Sequence, residues 1–235
     1  MKGALLNMVR CLLSLGRMLS YAAAAFLLCG CTAMVLREHV VEGTYQPTNI
    51  YRKQAVLPSQ IRRVAVLPIA VVGSESVLEA GADALQPVLN SELAKSKRFE
   101  LTLISPEQLR DWTGQGAWRS DEQLPEGFLE RLGNATGCDA VLFCQLTRYQ
   151  PYQPVAVGWK LSLVENKHGT ICWSADELLD SGDPSVANSA RLYASQNIQD
   201  QPSLFASPVI LNSPSRFGQY SVSALLATLP EREKR

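Results

Sequence analysis

The chain has little of the chemistry that nucleic-acid binders and most enzymes need. Its 235 residues carry 22 basic and 22 acidic side chains, so the net charge is zero and no basic stripe marks a nucleic-acid surface. Only two histidines occur, His39 and His168, and neither has a serine, cysteine or acid at the spacing of a catalytic triad. We therefore expect both histidines to be exposed polar residues, and we expect no enzyme.

Closely spaced cysteines are also missing from the body of the chain. Three cysteines follow the N-terminal region: Cys138, Cys144 and Cys172. None has the nearby cysteine or histidine that a zinc site requires, so the sequence predicts neither a metal site nor a cofactor.

What the chain does have is an apolar N-terminal run behind a positive flank. Lys2, Arg10 and Arg17 precede residues 18–36, which carry no charge. A positive flank, an apolar core and small residues before a cleavage site are the secretory pattern. The N-terminal stretch is therefore expected to direct the protein across a membrane.

The end of this run resembles the lipobox of bacterial lipoproteins. Leu28, Cys29 and Gly30 stand before Cys31, at the positions that a lipoprotein signal peptidase recognises. The resemblance implies that Cys31 receives a diacylglycerol and an acyl chain, and three chains bind a membrane far more tightly than one. Thr32 in place of Asp after the cysteine favours the outer membrane by the usual sorting rule.

An uncleaved transmembrane anchor is the alternative. Residues 18–36 are about long enough, since ~20 apolar residues span a bilayer, and the positive flank would keep the N-terminus inside. Both alternatives place the domain on the periplasmic side of a bacterial envelope. The lipoprotein hypothesis divides the chain into a signal peptide (1–30), a lipid anchor and tether (31–60), a single domain (61–230) and a solvated charged tail (231–235).

Beyond residue 60, apolar patterns typical of strands alternate with patterns typical of helices. The predicted strands are 61–71, 99–104, 137–149, 155–165 and 170–178. The predicted helices are 74–96, bent at Pro87, then 105–113, 125–133, 183–194 and 213–229. The last three strands have short connections and predict an antiparallel meander. We expect an α/β or α+β fold, with helices packed on a mixed sheet of about five strands.

The same strand order predicts the state of the three cysteines. Cys144 and Cys172 fall on strands separated by a third strand, about 9–10 Å apart. That separation exceeds the reach of a disulfide, so we expect three free, buried thiols.

Three pieces of this pattern resemble a family of bacterial envelope domains. The pieces are residues 64–68, 137–142 and 163–174. The family includes the amino-terminal domain of the Tol-Pal translocation protein, the curli secretion lipoprotein and the lipoprotein activators of penicillin-binding proteins. The resemblance covers residues 61–178 and implies no catalytic residues. It implies a domain that binds partner proteins, assembles into rings or regulates enzymes.

Four residues in these pieces have physical roles that do not depend on the resemblance. Gly137 suits the left-handed end of a helix, and Asp139 can accept bonds from backbone amides at the turn into its strand. Gly169 supplies the positive φ of a tight hairpin. Trp173 is expected to be a large core residue.

Five aromatic residues form the candidate partner-docking set. Tyr149, Tyr152 and Trp159 surround a proline-rich connection, whereas Trp112 and Trp118 flank a flexible Gly-Gln-Gly loop. Exposed aromatics at such places favour contact with a partner protein. The alternative is that they close the rim of the core.

Together these features favour a non-enzymatic, lipid-anchored envelope protein that binds or scaffolds another envelope component. A subunit of an oligomeric secretion or motility assembly is an alternative, and a membrane-anchored hydrolase is a weaker one. The sequence does not predict the oligomeric state.

Overall fold

A mixed sheet of seven strands organises the chain. The computed structural model describes residues 43–73, 75–197 and 209–232. The lipobox, Cys31 and His39 lie outside the described residues. The strands are β1 Ile50–Arg52, β2 Val56–Leu57, β3 Arg63–Val66, β4 Ala70–Val71, β5 Glu100–Leu103, β6 Ala140–Gln150, β7 Ala156–Glu165, β8 Ile171–Asp180 and β9 Glu231–Arg232. The helices are α1 Ser76–Ser96, α2 Pro106–Thr113, α3 Phe128–Thr136, α4 Pro184–Asn197 and α5 Pro214–Leu226.

The strand order confirms the predicted mixed sheet and its antiparallel meander. The main path runs β1-β8-β7-β6-β3-β5, and β4 also pairs with β6. Strands β6, β7 and β8 are antiparallel neighbours, whereas β3 is parallel to both β5 and β6. β2 and β9 form a separate parallel pair.

The predicted continuous strand over 61–71 is wrong in detail. The structure divides it into β3 and β4, with Pro68 between them. β3 pairs with the start of β6, and β4 pairs with Gln145 and Leu146 further along the same strand. Proline has no amide N–H to donate to a ladder, so pairing is interrupted there and resumes after it.

Helices cover both faces of the sheet, which explains why the first seven residues of β6 and most residues of β7 are buried. One core lies beneath α1, α4 and α5 and includes the buried Trp159, Trp173 and Phe217. A smaller core lies beneath α2 and α3 and includes Phe128 and Phe143. Strands covered on both faces show continuous apolar runs rather than alternation.

Helix α1 is a single helix across Pro87, as predicted. Its buried side chains include Leu78 and Glu92, whereas Val77 is half exposed and Ala84 is exposed. Helix α2 begins with a capping box, in which the Ser105 and Gln108 side chains accept hydrogen bonds from each other's backbone amides. Helix α3 begins three residues later than predicted, because residue 127 is a left-handed glycine.

The turn into β6 has the predicted geometry. Gly137 ends α3 with a φ of 66°. The Asp139 Oδ2 atom accepts hydrogen bonds from the backbone amides of Arg62 and Arg63, both at 2.9 Å. The carboxylate therefore fixes the start of β3 beside the start of β6.

The three thiols are free and buried, as predicted. Cys144 and Cys172 lie on β6 and β8, and β7 runs between them. Gly169 has the expected positive φ, and Trp173 is fully buried. Within the residues that the structure describes, no helix has both the length and the hydropathy of a membrane span.

Candidate functional site

Residues 43–57, which belong to the predicted tether, are docked on the domain. We call residues 43–57 the strap. Its strand β1 pairs antiparallel with β8, where Ile50 lies opposite Ala175 and Arg52 lies opposite Trp173. The strap therefore completes one edge of the sheet.

Glu177 holds the first part of the strap, residues 43–49, which we call its upper half. Its carboxylate accepts hydrogen bonds from the Tyr45 hydroxyl at 2.7 Å and the Asn49 amide at 2.6 Å, and it also accepts one from the Thr48 amide. The Tyr45 amide donates to Ser189 Oγ at 2.7 Å. Burial, followed by the hydrogen bond and negative charge of Glu177, raises the pKa of Tyr45 well above its usual value.

The second part of the strap, residues 50–57, which we call its lower half, contacts β8 and the C-terminal end of the chain. Arg52 Nε donates to the Thr228 carbonyl at 2.7 Å, and the Lys53 amide donates to the Cys172 carbonyl at 3.1 Å. β2 then pairs with β9, so Glu231 and the residue after it form a strand, although we predicted a solvated tail there. Two-residue strands have no periodic signal that a sequence pattern could reveal.

Two of the five predicted docking aromatics are core residues, so that part of the prediction is wrong. Trp159 is fully buried and donates its indole N–H to Ser221 Oγ at 2.8 Å. Trp118 is 4% exposed, donates to Thr113 Oγ1 and packs edge-on against Phe128. A large aromatic side chain is buried readily when its polar atom finds a partner.

The other three aromatics reach the surface to different degrees. Tyr152 is 82% exposed in the loop between β6 and β7. Tyr149 is half-buried against Gly81, and burial raises its pKa. Trp112 is half-buried on α2. Tyr152 is therefore the aromatic of this set that is most available to a partner.

A cleft of about 610 Å³ opens where β3 and β5 end, and we call it the carboxyl-end cleft. From β3 the chain crosses one face of the sheet through α1, and from β5 it crosses the other face through α2 and α3. The two connections diverge between neighbouring parallel strands. Ligands of open α/β sheets bind at such a divergence, at the carboxyl ends of the strands.

The polar groups of the cleft are mainly amides and hydroxyls. Gln86 Oε1 accepts from the Ile69 amide at 2.7 Å, and its Nε2 donates to Asn90 Oδ1 at 3.1 Å. Asp83 and Arg110 contribute one charge of each sign. This balance favours a neutral, hydrogen-bonding occupant such as a polypeptide backbone over a highly charged ligand.

The cleft could not be read from the sequence, because it depends on β3 and β5 being neighbours. A local signal was nevertheless present in Gly116, which lines the cleft. A Cβ atom there would lie 2.9 Å from an Arg110 guanidinium nitrogen and 3.2 Å from the Pro106 carbonyl oxygen. The loop before Trp118 therefore packs closely on α2, and a larger residue would require Arg110 to move and the Pro106 carbonyl to shift slightly.

His168 lies in the exposed turn between β7 and β8, as expected. Its Nδ1 atom is 3.1 Å from Glu165, and the side chain is 61% exposed. Among the described residues, no group of three or more His, Cys, Asp or Glu side chains is arranged to hold a metal ion.

Comparison with known proteins finds partial likenesses among solved structures. No protein-family model matches the chain, and no curated protein matches it. The PelC dodecamer from Paraburkholderia phytofirmans is 14% identical over 78% of this chain and 96% of that chain, with a TM-score of 0.43. Lipoprotein GNA1162 from Neisseria meningitidis is 18% identical over 52% of this chain and 85% of that chain, with a TM-score of 0.38.

The LpoB C-terminal domain from Escherichia coli is a further partial match. It is 20% identical over 51% of this chain and 83% of that chain, with a TM-score of 0.35. The identities and scores are low, so the function of this chain has to be inferred from its own residues.

Proposed function

We propose that the chain is a lipid-anchored bacterial envelope protein whose α/β domain binds another envelope component. The docked strap is the observation that carries this proposal. Gly43, its first residue, follows Cys31 by twelve residues, and an extended chain of that length spans at most about 40 Å. A lipid on Cys31 would therefore keep the domain near the membrane surface, where envelope partners are concentrated.

The binding surface that we propose lies at the carboxyl ends of β3, β5 and β6. The carboxyl-end cleft follows β3 and β5, and the loop carrying Tyr152 follows β6 at the same end of the sheet. Leu103 is 51% exposed at the rim of the cleft. An exposed leucine on a cleft lined with amides, together with an exposed tyrosine in the loop after β6, is suited to a protein partner.

The leader sequence supports the cellular location that we propose. The lipobox from Leu28 to Cys31 supports a lipoprotein on the periplasmic side, and Thr32 supports the outer membrane. No catalytic role is part of the proposal, because the sequence offers no triad and no closely spaced metal ligands.

Photo-cross-linking in the native membrane tests the binding surface. A photoreactive amino acid replaces Leu103, Tyr152 or, as a control, Leu192, which is 47% exposed on α4. We expect Leu103 and Tyr152 to capture the same envelope protein, identified by mass spectrometry, and Leu192 not to capture it. Capture at Leu192 alone, or no capture at Leu103 and Tyr152, would overturn the proposed surface.

A further inference from the structure

We propose that residues 43–49, the upper half of the strap, are releasable and that Glu177 is their latch, so that this carboxylate influences how far the domain reaches from the membrane. The proposal rests on the proposed lipid anchor at Cys31. In the docked state, the chain available between the lipid and the domain ends at Gly43. When the upper half is released, the available chain ends near Ile50, because β1 and the hydrogen bonds of Arg52 and Lys53 still hold the lower half.

The strap buries few side chains. Of its fifteen residues, Leu57 alone is fully buried, and Tyr45, Pro47 and Ile50 are half-buried. Tyr51 is 51% exposed and Val56 is 44% exposed. Segments with few buried apolar contacts open at a lower free energy than the core does. The strap is therefore held chiefly by hydrogen bonds.

Most of those hydrogen bonds converge on one side chain in the upper half, and the others run from the Tyr45 amide to Ser189 and from the Asp176 amide to the Asn49 carbonyl. Glu177 accepts from a tyrosine hydroxyl and from two backbone amides, so it connects Tyr45, Thr48 and Asn49 to β8. Bonds to a charged acceptor are stronger than neutral ones. Beyond Asn49, β1 has only three residues, and so short an edge strand is marginal by itself.

The lower half of the strap limits this release. β1, the hydrogen bonds of Arg52 and Lys53 and the buried Leu57 keep residues 50–57 on the domain. Ile50 follows Cys31 by 19 residues, a length that can span at most about 65 Å, compared with about 40 Å for the docked state. Release would therefore add about 25 Å to the largest distance at which the domain can meet a partner.

The test compares Glu177→Ala with Asp176→Ala in the full-length, lipidated protein on phosphatidylglycerol–phosphatidylethanolamine vesicles. Asp176 is the exposed neighbour on β8, and its side chain has no hydrogen bond within the described part of the chain, so it is a matched control. We expect the amides of Thr48 and Asn49 to exchange about tenfold faster or more in Glu177→Ala. Amides of β6 should be unchanged, which shows that the domain is folded.

Fluorescence energy transfer measures the distance between the domain and the membrane surface. A dye placed on the exposed turn through Lys167→Cys reports its distance from a dye in the lipid headgroups. We expect lower transfer for Glu177→Ala than for Asp176→Ala. Tyr45→Phe removes one of the latch bonds and should give a smaller increase in exchange in the same segment.

The outcomes separate the latch from the anchor. Unchanged exchange at Thr48 and Asn49 in Glu177→Ala would overturn the latch, and faster exchange with unchanged transfer would overturn its effect on reach. A protein that fails to stay on vesicles contradicts the lipid anchor, while its exchange pattern still decides whether Glu177 holds the strap.

Discussion

At the scale of single residues, two carboxylates join parts of the chain that are far apart in sequence. Asp139 holds the start of β3, and Glu177 holds the strap. Each accepts hydrogen bonds from two backbone amides. The sequence predicted that Asp139 bonds backbone amides at the turn into its own strand, but the amides that it bonds lie 76 and 77 positions earlier, at the start of β3. The role of Glu177 was not predicted, because its partners lie 128 or more positions away.

Replacing Asp139 with Ala should destabilise the domain. The amides of Arg62 and Arg63 would lose a charged acceptor, and we expect the free energy of unfolding to fall by about 1–3 kcal/mol. Urea denaturation followed by tryptophan fluorescence measures the change. Asp176→Ala, on an exposed side chain, should stay within about 0.5 kcal/mol of the wild type. A similarly small change in Asp139→Ala would contradict the prediction.

Buried tyrosines should make the domain sensitive to alkali. Burial raises the pKa of Tyr193 and of Tyr220 to about 12, and Tyr45 is shifted in the same direction. A raised pKa in the folded state means that stability is complete below the unfolded pKa of about 10 and declines as the pH rises above it. Denaturation at a series of alkaline pH values measures this decline.

The variant Tyr220→Phe should make the alkaline decline shallower, because it removes one proton that the folded state holds more tightly. Tyr152→Phe is the control, since Tyr152 is 82% exposed. An equal effect of both variants on the slope of stability against pH would show that burial is not the cause.

At the scale of elements, local periodicity predicted the positions of the long helices and strands but not those of the shortest strands. Helix α1 and strands β6, β7 and β8 lie within a few residues of their predicted positions. β1, β2 and β9 have two or three residues each, so periodicity cannot identify them. Their pairing depends on the presence of β8 and on the chain end returning to the strap.

The contact between α1 and α5 depends on a glycine. A Cβ atom on Gly218 would lie 2.4 Å from Leu85 Cδ2, and Leu85 is fully buried and has little room to move. Gly218→Ala should therefore destabilise the domain by about 1–3 kcal/mol, although alanine favours a helix. Thermal or urea unfolding measures the loss.

Gly43→Ala is the matched control for that substitution. Nothing lies within 4 Å of a Cβ atom at Gly43, so we expect stability close to the wild type or slightly higher. A stabilised Gly218→Ala variant would mean that α5 moves away from α1 more easily than their packing indicates.

At the scale of the whole molecule, the proposed anchor makes Cys31 the residue on which localisation depends. Cys31→Ser removes the sulfur that would take the lipid. We expect its precursor to stay uncleaved and to be held in the inner membrane by residues 18–36, whereas the wild-type protein should be cleaved and reach the outer-membrane fraction. Cys29→Ser, at the preceding small position, should be processed and fractionate like the wild type. A Cys31→Ser protein of the same size and in the same membrane fraction as the wild type would instead favour an uncleaved transmembrane anchor.

The sequence by itself determined the leader pattern, the long helices and strands and the buried state of the three thiols, because each depends on local periodicity or on neighbouring residues. Only the tertiary structure decided that residues 43–57 are docked, that Trp118 and Trp159 are core residues and that a cleft opens between β3 and β5. Those features depend on which strands become neighbours and on how the chain ends return to the sheet. Contacts between distant residues leave no periodic trace in the sequence.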